Sequence, residues 1–519
     1  NIMKKLTLLL CFVSFLTNGQ NLTVASGKSF TIEKTGSVIV NGNFLNVGTF
    51  ILNSESDAFS SIIIGGTVYG NITYNRYVNS VGTNEWDLIG SPVDGQSISS
   101  FASANSSTLG TSSNIYAIGS YDNATNTWTN YTTSTIGSAG NFDRGRGYQM
   151  ASVSGGTGIL KFTGTPASTT QTQAIINNDA ANAGTGTRWN LVANPFPSYI
   201  HGNANAHATN NFLTVNTDKL HDSYEAIYGY DADGSGYTAY NNTSSALNLA
   251  PGQAFMVASD NTSSDNISFT TDMRTIVGGD DLIVGDILED TFELIIKLYD
   301  GDTELDYTKF YFADGLSLGL DPGYDAGNFN QGASLMSRLV EEDEGVGLVI
   351  NAMGLENVND VVVPLEINRE SGNSFRISID TFDIYAGTNV YLEDNAQGTM
   401  TLLNELDFEL TPENNLSGVG RFFIHLTETT FSIDNEVDTN LLNAYKLDRN
   451  NFIIVEGLTV QSGITNVKLY SLLGREILST ELNNSINTQT ISTERIATGV
   501  YVIKLQSGNN LITKKLIIK

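Results

Sequence analysis

Apolar residues along 21–80 come in short clusters, Phe30-Thr-Ile32, Val38-Ile-Val40, Phe50-Ile-Leu52 and Ile62-Ile-Ile64, separated by Gly and Asn. Strands of three or four residues at a spacing of 10–12 predict stacked coils of a small β-solenoid over 20–81, and a plain antiparallel sheet fits the same pattern. From 82 to 275 aromatic and β-branched residues alternate with Asn, Gly and Ser turns, which predicts strands and hairpins. One stretch, Phe212 to Ala226, has a helical pattern. Residues 276–290 are acidic and Gly-rich and form an expected linker. Over 291–428 longer alternating runs follow at Phe292–Leu298, Thr308–Phe312, Gly347–Ile350, Val361–Ile367, Phe375–Ile379, Val390–Leu392 and Arg421–Leu426, the pattern of a β-sandwich. A second linker is expected at 429–445 and a last β-rich domain at 446–519. The fold class is all-β and multidomain.

The middle region repeats itself. Trp86-Asp-Leu-Ile-Gly-Ser-Pro92 returns as Trp189-Asn-Leu-Val-Ala-Asn-Pro195, an offset of 103. Tyr121-Asp122 returns as Tyr230-Asp231, and Gly145-Arg-Gly-Tyr-Gln-Met-Ala-Ser152 as Gly252-Gln-Ala-Phe-Met-Val-Ala-Ser259. Phe162-Thr163 returns as Phe269-Thr270, so two β-rich units are expected at 82–168 and 185–275.

Charge narrows the partners. The 519 residues carry 55 acidic and 26 basic side chains, a net charge of -29, which disfavours nucleic acid and anionic membranes. The acidity is concentrated: residues 276–445 hold 33 acidic against 6 basic residues, whereas 446–519 hold 5 against 9. At the other end, Lys4 and Lys5 precede the apolar run Leu6–Leu16 and the small residue Gly19 before Gln20. That is the layout of a secretory signal peptide over 1–19, and the run is too short to span a bilayer. The single cysteine, Cys11, lies inside it, so the mature chain has no cysteine for a disulfide or a thiolate nucleophile. No other apolar run approaches 18 residues, so no transmembrane span is expected.

The last segment carries three ordered motifs: Asn466-Val-Lys-Leu-Tyr-Ser-Leu-Leu-Gly-Arg475, Ile496-Ala-Thr-Gly-Val-Tyr-Val-Ile-Lys-Leu505 and Lys514-Lys-Leu-Ile-Ile-Lys519. They resemble the type A C-terminal sorting domain of the type IX (Por) secretion system: a strand ending in a Leu-Gly turn, a Gly-Val-Tyr strand, then a closing strand that begins with Lys. The resemblance implies a small β-sandwich recognised by the type IX machinery at the outer membrane and usually removed there. It implies nothing about the passenger's activity. Taken alone, Val500 and Val502 alternate with Tyr501 and Ile503 as in a strand buried on both faces.

Candidate chemistry is sparse. Gly315-Leu-Ser317-Leu-Gly319 has the letters of a nucleophile elbow, but Leu320-Asp-Pro-Gly323 follows where a helix is needed, and His425 lies on an expected strand. Asp231-Ala-Asp233-Gly-Ser235-Gly236 opens like a calcium loop, but the twelfth place is Asn242 and the matching Tyr121-Asp-Asn-Ala-Thr-Asn126 lacks the pattern, which favours a hairpin turn. Asp300, Asp302, Glu304, Asp306, Asp321 and Asp325 suit either a calcium site or a solvated edge. His201, His207 and His221 match no metal spacing. Trp128 with Tyr131, and Tyr237 with Tyr240, are cross-strand packing pairs or a sugar-stacking platform.

The sequence therefore points to a non-catalytic protein exported to the cell surface or medium by the type IX system, an adhesin or glycan- or surface-binding protein, with no catalytic, cofactor or metal residues assigned. A secreted polysaccharide-acting enzyme using paired carboxylates, or a structural component of a surface assembly, is the alternative.

Overall fold

The computed structural model describes residues 20–81, 86–179, 186–231, 236–279, 281, 292–329, 332–428, 442–446, 452–461, 463–471, 475–508 and 510–518. The signal peptide expected at 1–19 and most of both expected linkers lie outside these residues. The chain divides into two compact bodies, one drawn from 1–221 and 227–287, the other from 222–226 and 288–519.

The first body opens with a parallel solenoid. Leu22–Val24, Phe44–Asn46 and Val68–Tyr69 stack as one wall. Ser29–Ile32, Thr49–Glu55 and Ile72–Tyr77 make the second, and Ser37–Val40 on Ser61–Ile64 the third. Phe30 lies opposite Phe50 and Val38 opposite Ile62, so one coil takes 20 to 24 residues. The 10–12 spacing in the sequence is thus a step from wall to wall. At one corner the Asn21 Oδ1 accepts from the Asn43 backbone N–H and the Asn43 Oδ1 from Thr67, an amide ladder between coils. The coils meet so closely there that a Cβ at Gly42 would fall 1.5 Å from the Gln20 carbonyl oxygen. The last coil strand, Ile72–Tyr77, pairs antiparallel with Ile159–Gly164. One hydrophobic core therefore runs from Val24 to Phe162, across position 81.

Two four-strand arrangements of the same order follow. In one, Tyr148–Met150 lies between Asp87–Ile89 and Ile115–Asp122, which pairs onward with Thr127–Thr132. In the other, Ala254–Ala258 lies between Trp189–Ala193 and Ile227–Asp231, which pairs with Gly236–Tyr240. Each sheet buries one face on a short helix. Ile98–Ala104 is capped by the Ser97 side chain and packs Phe101 on Phe162; Phe212–Asn216 is capped by Asn211 and packs Phe212 on Phe269. A buried amide ties each helix to the closing strand. Asn105 donates to the Phe101 and Lys161 carbonyls and accepts from the Lys161 N–H; Asn216 does the same with Phe212 and Ser268. The helical pattern over Phe212–Ala226 corresponds to that single α-helical turn and the 3-10 turns Thr217–Lys219 and Asp222–Tyr224.

In the second body all seven strands expected between 291 and 428 form, joined by shorter ones into a single eleven-stranded sheet. Thr303–Ala313 and Leu348–Gly354 are its one parallel pair among the described strands, and the other pairings are antiparallel. Leu294, Phe310, Val363, Ile377, Leu392 and Ile424, from strands across the sheet, share one core. Two-layer packing is thus reached by one sheet curling over its own apolar face.

The C-terminal domain packs a three-stranded sheet on a four-stranded one around Ala444, Val455, Val467, Leu469, Ile503, Leu505 and Leu516. Its first strand is Asn443–Lys446, paired with Phe452–Glu456. The domain therefore begins inside the segment expected to be linker up to 445, because Leu442 and Ala444 belong to its core. In Gly499–Ser507 the apolar residues Tyr501, Ile503 and Leu505 face that core with Ser507 buried on the same side, and Val500 and Val502 are half-buried. The expectation of burial on both faces does not hold, because Val500 and Val502 lie on the face of the four-stranded sheet turned away from the three-stranded one.

Candidate functional site

Alternation along the strand Thr127–Thr132 decides which aromatics can act together. Trp128 and Tyr131 are an odd number of positions apart, so they point to opposite faces of the sheet. Tyr131 packs on the first core, as Tyr240 does on the core of the second arrangement. The expected pairing of Trp128 with Tyr131 and of Tyr237 with Tyr240 as platforms is corrected: the register sets Tyr121 opposite Trp128, and Tyr230 opposite Tyr237. Their ring centroids are 5.0 Å and 5.3 Å apart. Burial pushes the Tyr237 phenol up, with Tyr230 and Tyr121 adding to the rise.

Around Trp128, 36% exposed, the face away from the core is polar. Gly119 stands opposite both Asn130 and Gln149. With no side chain at 119, the Asn130 amide lies over the backbone there and accepts from the Gln149 side chain. The Tyr121 hydroxyl donates to Asn126 Oδ1 at 2.9 Å and sits 3.0 Å from Thr187 Oγ1. The strip thus offers an aromatic face and two amides with further hydrogen-bonding capacity, while Thr127 and Thr129 alternate to the other face of the strand. In the second arrangement the register partners are Tyr228, Ala239 and Met256, all buried, with Trp189 edge-on to Tyr228 at 4.7 Å. There the corresponding face is filled by the protein's own side chains. The sequence marked Trp128; only the register shows that Gly119, Asn130 and Gln149 belong with it.

The other candidates go to separate partners. Asp300 pairs with Arg369 at 2.6 Å and Glu304 with Lys297 at 3.0 Å. Asp306 is buried, accepting from Asn328 and the Leu335 N–H, while Asp302 is exposed. Asp321 accepts from the Ser317 N–H and hydroxyl, which closes the Ser317 turn, and Asp325 is buried. Among the described residues, no group of three or more His, Cys, Asp or Glu could hold a metal ion. Asp233 and Ser235 lie outside the described residues. His425 Nε2 is 2.8 Å from Glu393 Oε2. His201 bonds Asn248, with its ring 5.3 Å from that of His207. The His221 backbone N–H donates to Ala258.

Burial pushes the Asp325 carboxyl up to about 7, against hydrogen bonds from the Ala352 and Asp321 N–H groups and with the Asp321 charge adding to the rise. An unfolded Asp titrates near ~3.9. Between that value and about 7 the folded chain binds more protons than the unfolded one, so stability falls as pH rises through this window. Asp325→Asn is expected to flatten that fall. Urea midpoints of the second body at several pH values from acid to neutral check it, and an unchanged slope contradicts it.

A family model described as "Domain of unknown function (DUF8693)" matches residues 11–425. A second, described as "Secretion system C-terminal sorting domain", matches 450–519. No match is found among curated proteins. The C-terminal domain is thus a type IX sorting domain, and the protein is exported by that system to the cell surface or extracellular space. None of the helices among the described residues is long and apolar enough to cross a membrane.

Proposed function

The chain belongs to the DUF8693 family, the domain of unknown function that spans 11–425, and from that premise we propose that it is a non-catalytic surface or secreted protein that binds glycans through the Trp128 strip. A leader at 1–19 delivers it to the periplasm, and the sorting domain takes it onward. The observation that carries this reading is the contrast between the two arrangements: the same register positions hold Gly119, Asn130 and Gln149 on a half-open face, but Tyr228, Ala239 and Met256 on a filled one. A sugar ring presents C–H groups to an aromatic face and hydroxyls to flanking amides, which suits the first set and not the second.

The reading includes a duplication, which explains why the contrast exists. Tyr148 and Phe255 are buried at matching register positions opposite Ile89 and Val192, while Trp86 and Trp189 are both half-buried. Contacts between the two copies are reciprocal. Gly90 N–H donates to the Gly252 carbonyl and Ala193 N–H to Gly145, and Ile89 bridges Gln253 as Val192 bridges Arg146. Such exchange is what a two-fold isologous pair produces, so the units behave as a fused dimer in which one copy has kept an open face. Equilibrium binding of the chain and its Trp128→Ala variant to soluble polysaccharides tests the proposal. Cleavage of the same polysaccharides by the purified chain would favour the enzyme alternative.

A further inference from the structure

Lys514 and Lys515, expected to open the closing strand of the sorting domain, lie in the middle of Asn510–Ile518 and do not point into solvent. Lys515 Nζ donates to the Val362 carbonyl of the eleven-stranded sheet at 3.2 Å. Lys514 Nζ donates to Asn395 Oδ1 of that sheet at 3.2 Å and to Asn443 Oδ1 of its own domain at 2.8 Å. The receiving surface is the outward row of three neighbouring strands, where Val362 lies opposite His425, His425 opposite Tyr391, and Glu393 bonds His425. Burial pushes the Lys515 ammonium down to about 8, while the carboxylates of Glu393 and Asp360 pull the other way. Lys514 is lowered in the same manner, opposed by Glu393 and Glu456.

We propose that the acidic sheet of the passenger grips its own sorting domain through Lys514 and Lys515, so that cutting the connecting segment does not by itself free the domain. The charge distribution fits this pairing: 276–445 is strongly acidic, and 446–519 is the one folded segment with a basic excess. A lysine stem covers apolar surface while its ammonium takes oxygen ligands, and here Lys515 takes one from the neighbouring domain and Lys514 one from each domain. The export machinery then has to displace the passenger from the middle of the closing strand before that strand is exposed.

Competitive amine acetylation of the full chain, read by peptide mass spectrometry, tests the contact. Lys514 and Lys515 are expected to react about fivefold more slowly than the exposed Lys504, as partly protected groups that open locally. A lowered ammonium pKa alone would speed acylation, so slow reaction reports shielding. Glu393→Gln combined with Asn395→Ala should accelerate Lys514 and Lys515 and leave Lys504 unchanged; equal rates in wild type and variant overturn the proposal. A second measurement needs no substitution on the sheet. With a protease site inserted between 432 and 441, the cut chain should elute from gel filtration with its sorting domain still attached at low salt. Separation at low salt overturns the proposal.

Discussion

A chain ending at residue 441 stays in the periplasm. The sorting domain is built entirely from strands beginning at Asn443, and its core, from Leu442 to Ile518, contains no residue of the passenger. The eleven-stranded sheet likewise completes its core by Leu426. The truncation therefore removes the address without opening the passenger core, and the expected loss of export is all-or-none. Immunoblots of periplasm, cell surface and medium check it. The converse fusion of 432–519 to a periplasmic reporter should carry the reporter out. Truncated chain in the medium at wild-type level would contradict the role assigned to this domain.

The largest effect on stability is expected at the buried aromatics of the two central strands. Phe255 is fully buried and meets Phe212 edge-on at 5.0 Å; Tyr148 is buried and meets Phe142 edge-on at 5.1 Å. Replacing either by Ala removes a ring and leaves a cavity, at a cost of about 3–5 kcal/mol. Tyr148→Phe keeps the ring and loses only the hydroxyl that accepts from the Asp143 N–H, a cost of about 1 kcal/mol. Because the two positions correspond in register, their Ala variants should lower the same calorimetric transition of the first body by similar amounts. A shift in one variant and none in the other would show that the arrangements are not built on equivalent cores.

The sequence revealed most where local chemistry decides structure. Gly and Asn at the corners and three-residue apolar clusters marked the solenoid, because coils in backbone contact tolerate little else there. Alternation marked the seven long strands of the acidic sheet. The helix Ile98–Ala104 escaped notice because Ser-Ser-Phe-Ala-Ser has poor helix propensity; its only signals are the Ser97 cap and buried Ile98, Phe101 and Ala102. The strand Ser334–Ser337 is short and half polar, and its partner is Ser334 against Asn368, a pairing that no local pattern announces. The candidate site was half legible. Trp128 stands out in a polar hairpin, but its partners Tyr121, Gly119 and Gln149 come from two other strands, and which residues share its face depends on register. The Lys514 and Lys515 contacts bridge positions more than a hundred residues apart, beyond the reach of any pattern along the chain.

The direct test of the account is equilibrium binding of the leader-free chain to a panel of neutral and acidic polysaccharides, measured beside Trp128→Ala. Trp128 is partly exposed on an edge strand and packs on Tyr121 at the margin of the sheet, so its removal should leave the thermal midpoint close to wild type. The account predicts saturable binding to at least one polysaccharide, weakened about thirtyfold in the variant, as expected when an aromatic anchor worth about 2 kcal/mol is lost. Saturable binding with the same affinity in both proteins would contradict the placement of the site on this strip.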